Sequence, residues 1–173
     1  MFASSFDDAQ LGSLYARHRE ELVRYAARFT GDPDLAADVV QEAFIRLARR
    51  PPDEPGAIRA WLYRVATTIA VDMMRVHRRR AILTLERGDR FPLGDPPIDP
   101  AENAERGDLR RKVREALDEL DPRDRAVLLL REEGFAHHEI ADAVGTTTKS
   151  VGTMIARALT RLARRLEFRG AIP

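Results

Sequence analysis

The sequence predicts an all-α protein made of two small helical domains joined by a flexible acidic linker. Apolar residues recur at helical spacing along most of the 173 residues, and no stretch alternates as a strand does. Residues 88–100 are rich in Pro, Gly and Asp, have no period and separate two groups of helices. Residues 81–108 hold seven acidic residues against three basic ones. We therefore predict domains at residues 8–80 and 109–168, with a linker at 81–108.

The first domain is predicted to contain three helices that share one apolar core. Gly31 ends the first helix, Asp32 caps the second, and Pro33 takes the first position of that second helix. The Pro-Pro pair at 51–52 stops it. These residues are typical of a short, well-defined helix junction.

A long third helix is predicted from Ile58 onward. Its apolar face carries Trp61, the single tryptophan, which we therefore expect in the core and not on a base-stacking surface. The helix runs into the basic cluster RVHRRR at residues 75–80. Such a cluster stabilises a helix end or contacts phosphates, and we favour phosphate contact because the cluster exceeds what a cap requires.

The second domain has the spacing of a helix-turn-helix. Ala141, Gly145, Val151 and Met154 lie at offsets of 0, 4, 10 and 13, which supplies a small residue, a turn glycine and two inward-facing apolar residues. The outer face would then hold Thr147, Thr148, Lys149, Gly152, Thr153, Ala156 and Arg157. With so few cations, this module is expected to bind DNA weakly by itself. A plain helical hairpin is the alternative.

The composition excludes several classes of protein. Without cysteine the chain has no disulfide and no thiolate metal site. The first ten residues lack the regions of a signal peptide, and no apolar run approaches the ~18 residues that span a bilayer. We therefore expect a cytoplasmic protein without membrane insertion. A net charge of +1 argues against non-specific coating of nucleic acid.

No enzymatic function is predicted. His138 and Glu139 begin a pattern close to that of zinc proteases, but Asp142 occupies the position of the second histidine. We find no serine-histidine constellation and no phosphate-binding glycine loop in the sequence. We accordingly expect no catalytic residue, no metal ion and no cofactor.

Two longer stretches resemble a known family. Residues 38–48, DVVQEAFIRLA, and 60–75, AWLYRVATTIAVDMMR, resemble the region 2 signature of bacterial sigma factors of the extracytoplasmic-function type, in the sigma-70 family. The helices of residues 109–166 are similar to region 4 of the same group. The resemblance covers nearly everything from residue 11 to residue 166. It implies a dissociable initiation subunit of RNA polymerase that acts on promoter DNA.

The same resemblance implies three groups of binding residues and a further partner. Contact with the clamp helices of core RNA polymerase is expected from Asp38, Gln41, Glu42 and Phe44. Capture of the separated minus-ten strand is expected from Arg59, Arg64, Thr67, Thr68, Arg75, Arg78 and Arg79. Reading of the minus-thirty-five element, beside the polymerase flap, is expected from Arg131, Thr147, Thr148, Lys149, Thr153 and Arg157. An anti-sigma protein is expected to hold the factor inactive.

Some residues allow other interpretations. Solvent exposure alone would explain the polar residues at 38–42 on an amphipathic helix. Thr67 and Thr68 stand where relatives often carry Arg-Asn, and Ala136 replaces a hydroxyl cap at a cost of ~1 kcal/mol. The alternative function is a helix-turn-helix repressor or activator that acts without core polymerase. The sparse recognition helix also suits a protein-binding adaptor that has lost DNA contact.

Overall fold

A computed structural model describes residues 6–86 and 104–172 and confirms the all-α prediction. These residues form seven α-helices and one 3-10 turn, without a strand. No helix in these two ranges is both long and apolar enough to cross a membrane. The chain divides into two compact units, Met1–Asp95 and Pro96–Pro173, called unit 1 and unit 2 below.

Unit 1 is a bundle of three helices with a short 3-10 turn before the third. Its elements are α1 (Asp8–Thr30), α2 (Pro33–Arg49), the turn Pro55–Ala57 and α3 (Ile58–Glu86). Each of the three helices packs against the other two. Leu22, Phe29, Val39, Leu47 and Leu62 are fully buried between them. Since each large apolar side chain contributes roughly 1.5–3 kcal/mol on burial, this core accounts for the close packing of the bundle.

The junction between α1 and α2 confirms the predicted cap. Gly31 has a φ of 72°, which glycine adopts without strain. The Asp32 carboxylate accepts hydrogen bonds from the amides of Asp34 and Leu35 at 2.9 and 3.1 Å. Pro33 is the first residue of α2, as predicted. The chain therefore reverses here through contacts among residues close in sequence.

Helix α3 extends beyond the predicted end of the first domain. It continues past Arg80 to Glu86, and α4 begins at Ala104, so helix occupies both ends of the predicted linker at 81–108. The added segment AILTLE is rich in Ala, Leu and Glu, which favour helix and extend α3. The central part of the predicted linker, residues 87–103, lies outside the described part of the chain.

Unit 2 contains four helices arranged around a smaller core. They are α4 (Ala104–Asp118), α5 (Pro122–Glu132), α6 (His137–Val144) and α7 (Thr148–Phe168). Helix α7 packs against the other three, and α5 also packs against α6. Val127, Leu130, Ile140 and Val151 are buried at the centre. Helix α7 therefore has one side in the core and leaves its other side to solvent.

Candidate functional site

The outer side of α2 presents the polar residues expected to contact polymerase. Asp38 and Gln41 are exposed, while Glu42 is half-buried and pairs with Arg46 at 2.8 Å, one turn further on. The opposite side of the helix, including Val39, is buried in the unit 1 core. Three of the four predicted residues therefore share a surface that a partner can reach.

Phe44 does not belong to that polar surface. It is 6% exposed, and its ring packs edge-on against Tyr15 of α1, with ring centroids 4.9 Å apart and planes at 70°. The side chain of Phe44 is thus mostly covered by unit 1 itself, and its contact with a partner stays a prediction. A bulky aromatic residue at this register of an amphipathic helix is held by its neighbouring helix, and Phe44 fixes α1 against α2.

An apolar groove of about 400 Å³ adjoins the polar surface of α2. It lies between α1 and α2 and is lined by Leu11, Tyr15, Gln41, Phe44, Ile45, Ala48 and Arg49. Tyr15 and Ile45 are exposed there. Because Gln41 belongs to both features, α2 offers one continuous surface that is polar on one side and apolar on the other. Sequence reasoning missed the groove because Tyr15 fits the apolar stripe of α1.

Helix α3 carries a basic outer face. Arg64, Thr68, Arg75 and Arg79 are exposed along it, as predicted. The side chain of Arg78 lies outside the described part of the structure. These exposed guanidinium groups follow one helix over four turns, which suits contact with successive phosphates of a strand.

Arg59, at the start of α3, is partly engaged within unit 1. Its guanidinium lies over the ring of Tyr63, 4.9 Å from the ring centroid, and its Nε is 3.5 Å from the Glu21 carboxylate. A cation over an aromatic face is stabilised by roughly 0.5–1 kcal/mol when exposed. Arg59 therefore contributes to holding α1 and α3 together as well as remaining a candidate for strand contact.

Thr67 does not lie on the basic face. It is 3% exposed, and its hydroxyl donates to the Tyr63 carbonyl at 2.7 Å and lies 2.6 Å from the Tyr25 hydroxyl. The prediction that Thr67 faces a DNA strand is wrong, because Tyr63, Ala66, Thr67 and Ala70 form the buried stripe of α3. The pattern suggested an exposed position because threonine is polar and a second threonine follows it.

Trp61 meets the sequence prediction only in part. Its side chain is half-buried, whereas Leu62 and Tyr63 beside it are buried. Helix α3 is thus rotated slightly relative to the stripe predicted from the sequence. Trp61 consequently lies at the edge of the core, where one part of the indole meets solvent.

The basic cluster at residues 75–80 lies within α3 and not at its end. The helix continues to Glu86, and its last turn contains no basic residue. A helix dipole acts on charges within its last turn, so the cluster does not serve as a cationic helix end. Arg75 and Arg79 are exposed, which leaves phosphate contact as the better explanation of the cluster.

The helix-turn-helix predicted in unit 2 is formed by α6 and α7. Gly145 provides the turn with a φ of 65°, and Ala141 and Val151 are buried at the contact of the two helices. Thr147, Thr148, Lys149, Thr153 and Arg157, the expected reading residues, are all exposed. The structure thus presents the first turns of α7 to solvent, as reading of a major groove requires.

A contact that sequence reasoning missed supports the turn. Arg123 of α5 donates to the Gly145 carbonyl at 2.8 Å. Its backbone amide donates to the Asp121 carboxylate, which caps α5. Arg123 therefore connects the start of α5 to the turn between α6 and α7. The residues are 22 positions apart, so no local pattern indicates the contact.

Arg131 and the start of α6 flank the recognition helix. Arg131 is exposed, and its Nη1 lies 3.1 Å from His137 Nε2. Ala136 has no side-chain acceptor, but Glu139 accepts from the Ala136 amide at 2.8 Å. This is half of a capping box. It offsets part of the missing hydroxyl cap at the beginning of α6.

Ion pairs hold the second half of α7. Arg161 pairs with Asp124 of α5, Arg165 pairs with Glu119 just after α4, and Arg169 just after α7 contacts both Glu115 and Glu119. The hydrogen bond from Arg169 lowers the pKa of Glu119. These contacts fix the far end of the recognition helix and leave its first turns uncovered.

A charged pair also lies under α5. Arg125 is 1% exposed, and its guanidinium lies 3.1 Å from the Asp118 carboxylate and donates to the Asp118 carbonyl at 2.6 Å. Burial raises the pKa of the Asp118 carboxyl, and the nearby Arg125 charge opposes that rise. This pair fixes α5 to the end of α4. Among the described residues no group of His, Asp and Glu is arranged to hold a metal ion.

Comparison with known proteins agrees with this two-unit, helix-turn-helix architecture. Sigma-70 region 2 matches residues 14–80, and sigma-70 region 4 matches residues 110–162. The ECF RNA polymerase sigma factor SigL of Mycobacterium tuberculosis is 30% identical over 172 residues, covering 97% of this chain and 95% of SigL. The chain therefore belongs to the sigma-70 family, among its extracytoplasmic-function (ECF) sigma factors.

Two other relatives are longer than this chain. SigE of Mycolicibacterium smegmatis is 32% identical over 168 residues, which cover 94% of this chain and 65% of SigE. SigG of Mycobacterium tuberculosis is 34% identical over 168 residues, which cover 84% of this chain and 45% of SigG. The chain thus spans about half to two thirds of the length of these relatives.

Two solved structures share the fold. CnrH, solved in complex with the cytosolic domain of CnrY, has a TM-score of 0.62 and 28% identity, covering 95% of this chain and 92% of CnrH. The sigma factor RpoE from Bartonella quintana, solved with the anti-sigma factor NepR, has a TM-score of 0.66 and 19% identity, covering 90% of this chain and 96% of RpoE. At that identity the RpoE likeness supports the fold alone.

Proposed function

We propose that this chain binds core RNA polymerase and directs promoter-specific transcription initiation. The observation that carries the proposal is the order of regions 2 and 4 on two separate helical units. Most residues expected at the polymerase and promoter contacts lie on the surface of those units. Unit 1 contacts polymerase and captures the minus-ten strand, and unit 2 reads the minus-thirty-five element.

In unit 1 two different surfaces divide this work. Asp38, Gln41 and Glu42 on α2 contact the clamp helices, where exposed polar groups beside an apolar groove suit a protein partner. Arg64 and Thr68 on α3 face the separated strand, together with Arg75 and Arg79. Positive charges along a helix bind phosphates, while a hydroxyl can contact base edges.

In unit 2 the first turns of α7 enter the major groove. Thr147, Thr148 and Thr153 offer hydroxyl and methyl groups, and Lys149 and Arg157 offer charge. Two cations provide modest affinity by themselves. Unit 2 therefore acts mainly when unit 1 is held on polymerase, because tethering raises the effective concentration of the second contact, and the polymerase flap adds a contact of its own.

The chain also has an inhibitory partner in this proposal. RpoE and CnrH were solved in complex with NepR, an anti-sigma factor, and with the cytosolic domain of CnrY. A comparable anti-sigma protein would cover the exposed surfaces of this chain in the cytoplasm and prevent polymerase binding. Co-purification of the chain with a small partner that blocks its binding to core polymerase would support this part of the proposal.

Selection of bound DNA tests the central proposal. Random duplex DNA is selected with core polymerase plus this chain, with core polymerase alone, and with the chain alone. A sigma factor yields enriched sequences with two spaced elements only in the first mixture, and those sequences support transcription in vitro. Enrichment of one operator-like sequence by the chain alone, without stimulation of polymerase, would instead identify a repressor or activator.

A further inference from the structure

Tyr25 and Thr67 form a buried hydrogen-bond chain that strand capture and polymerase binding, as described above, do not use. Both residues lie in the core of unit 1, at 1% and 3% exposure. The two hydroxyl oxygens are 2.6 Å apart, and the Thr67 hydroxyl is 2.7 Å from the Tyr63 carbonyl oxygen. The chain of bonds therefore runs from α1 into the backbone of α3.

The direction of this hydrogen-bond chain follows from its proton count. A threonine hydroxyl has a single proton, and Thr67 donates it to the Tyr63 carbonyl. Thr67 Oγ1 must therefore accept the bond that joins it to Tyr25, and Tyr25 is the donor. The Tyr25 ring also packs against the Tyr63 ring, with centroids 4.9 Å apart. A polar and an aromatic contact thus meet at one point of the α1–α3 interface.

On α3, Thr67 adjoins two residues of the proposed strand-binding face. Thr68 follows Thr67 in sequence, Arg64 is one turn earlier, and both are exposed. Apolar contacts such as those of Leu62 and Ile69 favour burial but have little directional preference. Hydrogen bonds depend on distance and angle. A buried hydroxyl pair therefore specifies the rotation of α3 more narrowly than the surrounding apolar side chains do.

We propose that Thr67 is a positioning residue for promoter opening. Thr67 accepts a hydrogen bond from Tyr25 and donates one to the Tyr63 carbonyl. These two bonds fix the rotation of α3 so that Arg64 and Thr68 face the minus-ten strand. This inference rests on the proposed function of the chain. Loss of the hydroxyl removes this hydrogen bond between α1 and α3, and α3 is then no longer held at that rotation.

Four variants in reconstituted holoenzyme test the proposal. Thr67→Val removes the hydroxyl and keeps the branched shape, Thr67→Ser keeps the hydroxyl, Tyr25→Phe removes the donor, and the fourth variant combines Tyr25→Phe with Thr67→Val. The readouts are core polymerase binding, binding to a pre-melted promoter fork, and permanganate reactivity of unpaired thymines on a promoter obtained by the selection above. All assays run well below the melting temperature of each variant.

Thr67→Val is expected to slow promoter opening and weaken fork binding about tenfold, while core polymerase binding stays within about twofold of wild type. Thr67→Ser should retain wild-type opening. The double variant should be no worse than Thr67→Val, because both of its changes remove the same Tyr25–Thr67 hydrogen bond.

Three results would overturn the positioning role: wild-type opening by Thr67→Val, equal impairment of Thr67→Ser, or equal loss of core binding and fork binding in Thr67→Val. The last result would mark Thr67 as important for stability alone. Failure of the wild-type chain to open any selected promoter is a different outcome, because it would refute the proposed function itself. The wild-type arm therefore separates the two failures.

Discussion

Units 1 and 2 are both small helical bundles, but their helices are held in different ways. In unit 1 the aromatic side chains of Tyr25, Phe29 and Tyr63 are almost completely buried and join α1 to α3. In unit 2 an arginine, Arg125, is buried to the same degree. The ion pairs of Arg161 and Arg165 on α7 and of Arg169 just after it further tie this end of unit 2 to α5, to the end of α4 and to Glu119.

This difference separates the roles of charge in the two units. In unit 1 the Asp38 carboxylate is exposed and has no ion pair with another described residue, so a partner can bind it. The carboxylates of unit 2, such as Asp124 and Glu119, bind arginines of the same unit. Charge removal should therefore affect binding in unit 1 and stability in unit 2. The following experiments, from the largest expected effect to the smallest, examine that contrast.

Arg125→Met should destabilise unit 2 by about 2–4 kcal/mol, because it leaves the Asp118 carboxylate without its buried partner. The value is below that of a fully buried pair, since the Asp118 side chain is 41% exposed. Denaturation followed by circular dichroism reports both units, and the fluorescence of Trp61, the single tryptophan, reports unit 1. Arg164→Met, at an exposed position of α7, is the matched control.

One result for Arg125→Met would contradict the idea that this charge stabilises unit 2 alone. If the Trp61 transition shifted as far as the dichroism transition, the unit 2 ion pair would be supporting the whole chain. A shift confined to dichroism would show that unit 2 unfolds by itself. The Arg164→Met control should leave both transitions within about 0.5 kcal/mol of wild type.

Changing Asp38 and Gln41 together to Ala should weaken core polymerase binding by roughly 2 kcal/mol or more, as loss of central interface residues does. Helix content and melting temperature should stay unchanged, because neither side chain is buried. Binding is measured with labelled core polymerase, and Glu20→Ala on the exposed side of α1 is the control. Unchanged binding would remove this α2 surface from the polymerase contact.

Arg157→Ala should weaken holoenzyme binding to the minus-thirty-five duplex by ~1–3 kcal/mol and reduce the salt dependence by about one counterion. Its stability should match wild type, because Arg157 is exposed and no ion pair joins it to another described residue. Arg161→Ala should do the reverse, since Arg161 binds Asp124. Equal effects of the two changes on DNA binding would contradict the assignment of Arg157 to DNA contact and of Arg161 to stability.

Acid should act on unit 2 through carboxyl groups whose pKa values are shifted in opposite directions, among them Glu119 and Asp118. The hydrogen bond from Arg169 lowers the pKa of Glu119, so its contribution to stability is present above the unfolded pKa and lost as pH falls through the folded pKa. Burial raises the pKa of Asp118, so its contribution is full below the unfolded pKa and is lost as pH rises through the folded pKa.

Asp118→Asn removes the second of these carboxylates. Unit 2 should then lose stability more steeply on acidification than wild type, because a gain from Asp118 no longer offsets the loss from Glu119. Thermal melts by circular dichroism between about pH 6 and pH 3 measure the slope, with Trp61 fluorescence as the unit 1 reference. A slope equal to that of wild type would show that Asp118 has no part in the acid response.

Features that depend on residues close in sequence were predictable. The Asp32–Pro33 start of α2 and the Gly145 turn are both formed as predicted. Caps and tight turns depend on backbone geometry within four or five residues. The sequence contains all the atoms that such contacts require, so a local pattern is sufficient.

The direction of individual side chains was less predictable. Thr67 and Phe44 were assigned to binding surfaces, but both are buried. Their direction depends on which helix packs beside them, and that information comes from Tyr25 and Tyr15 on α1. The ion pairs of α7 were missed for the same reason, since Arg161 and Asp124 are 37 positions apart. Which residues meet across helices follows from tertiary packing and not from periodicity.

The bond from Arg123 to the Gly145 carbonyl affects how the DNA preference proposed for α7 can evolve. Arg123 holds a main-chain oxygen, and every amino acid supplies one, so substitutions on the outer side of α7 leave the anchor intact. Gly145 itself is constrained by its positive φ. Mutational drift can therefore replace the reading residues one at a time while the turn that presents them keeps its shape.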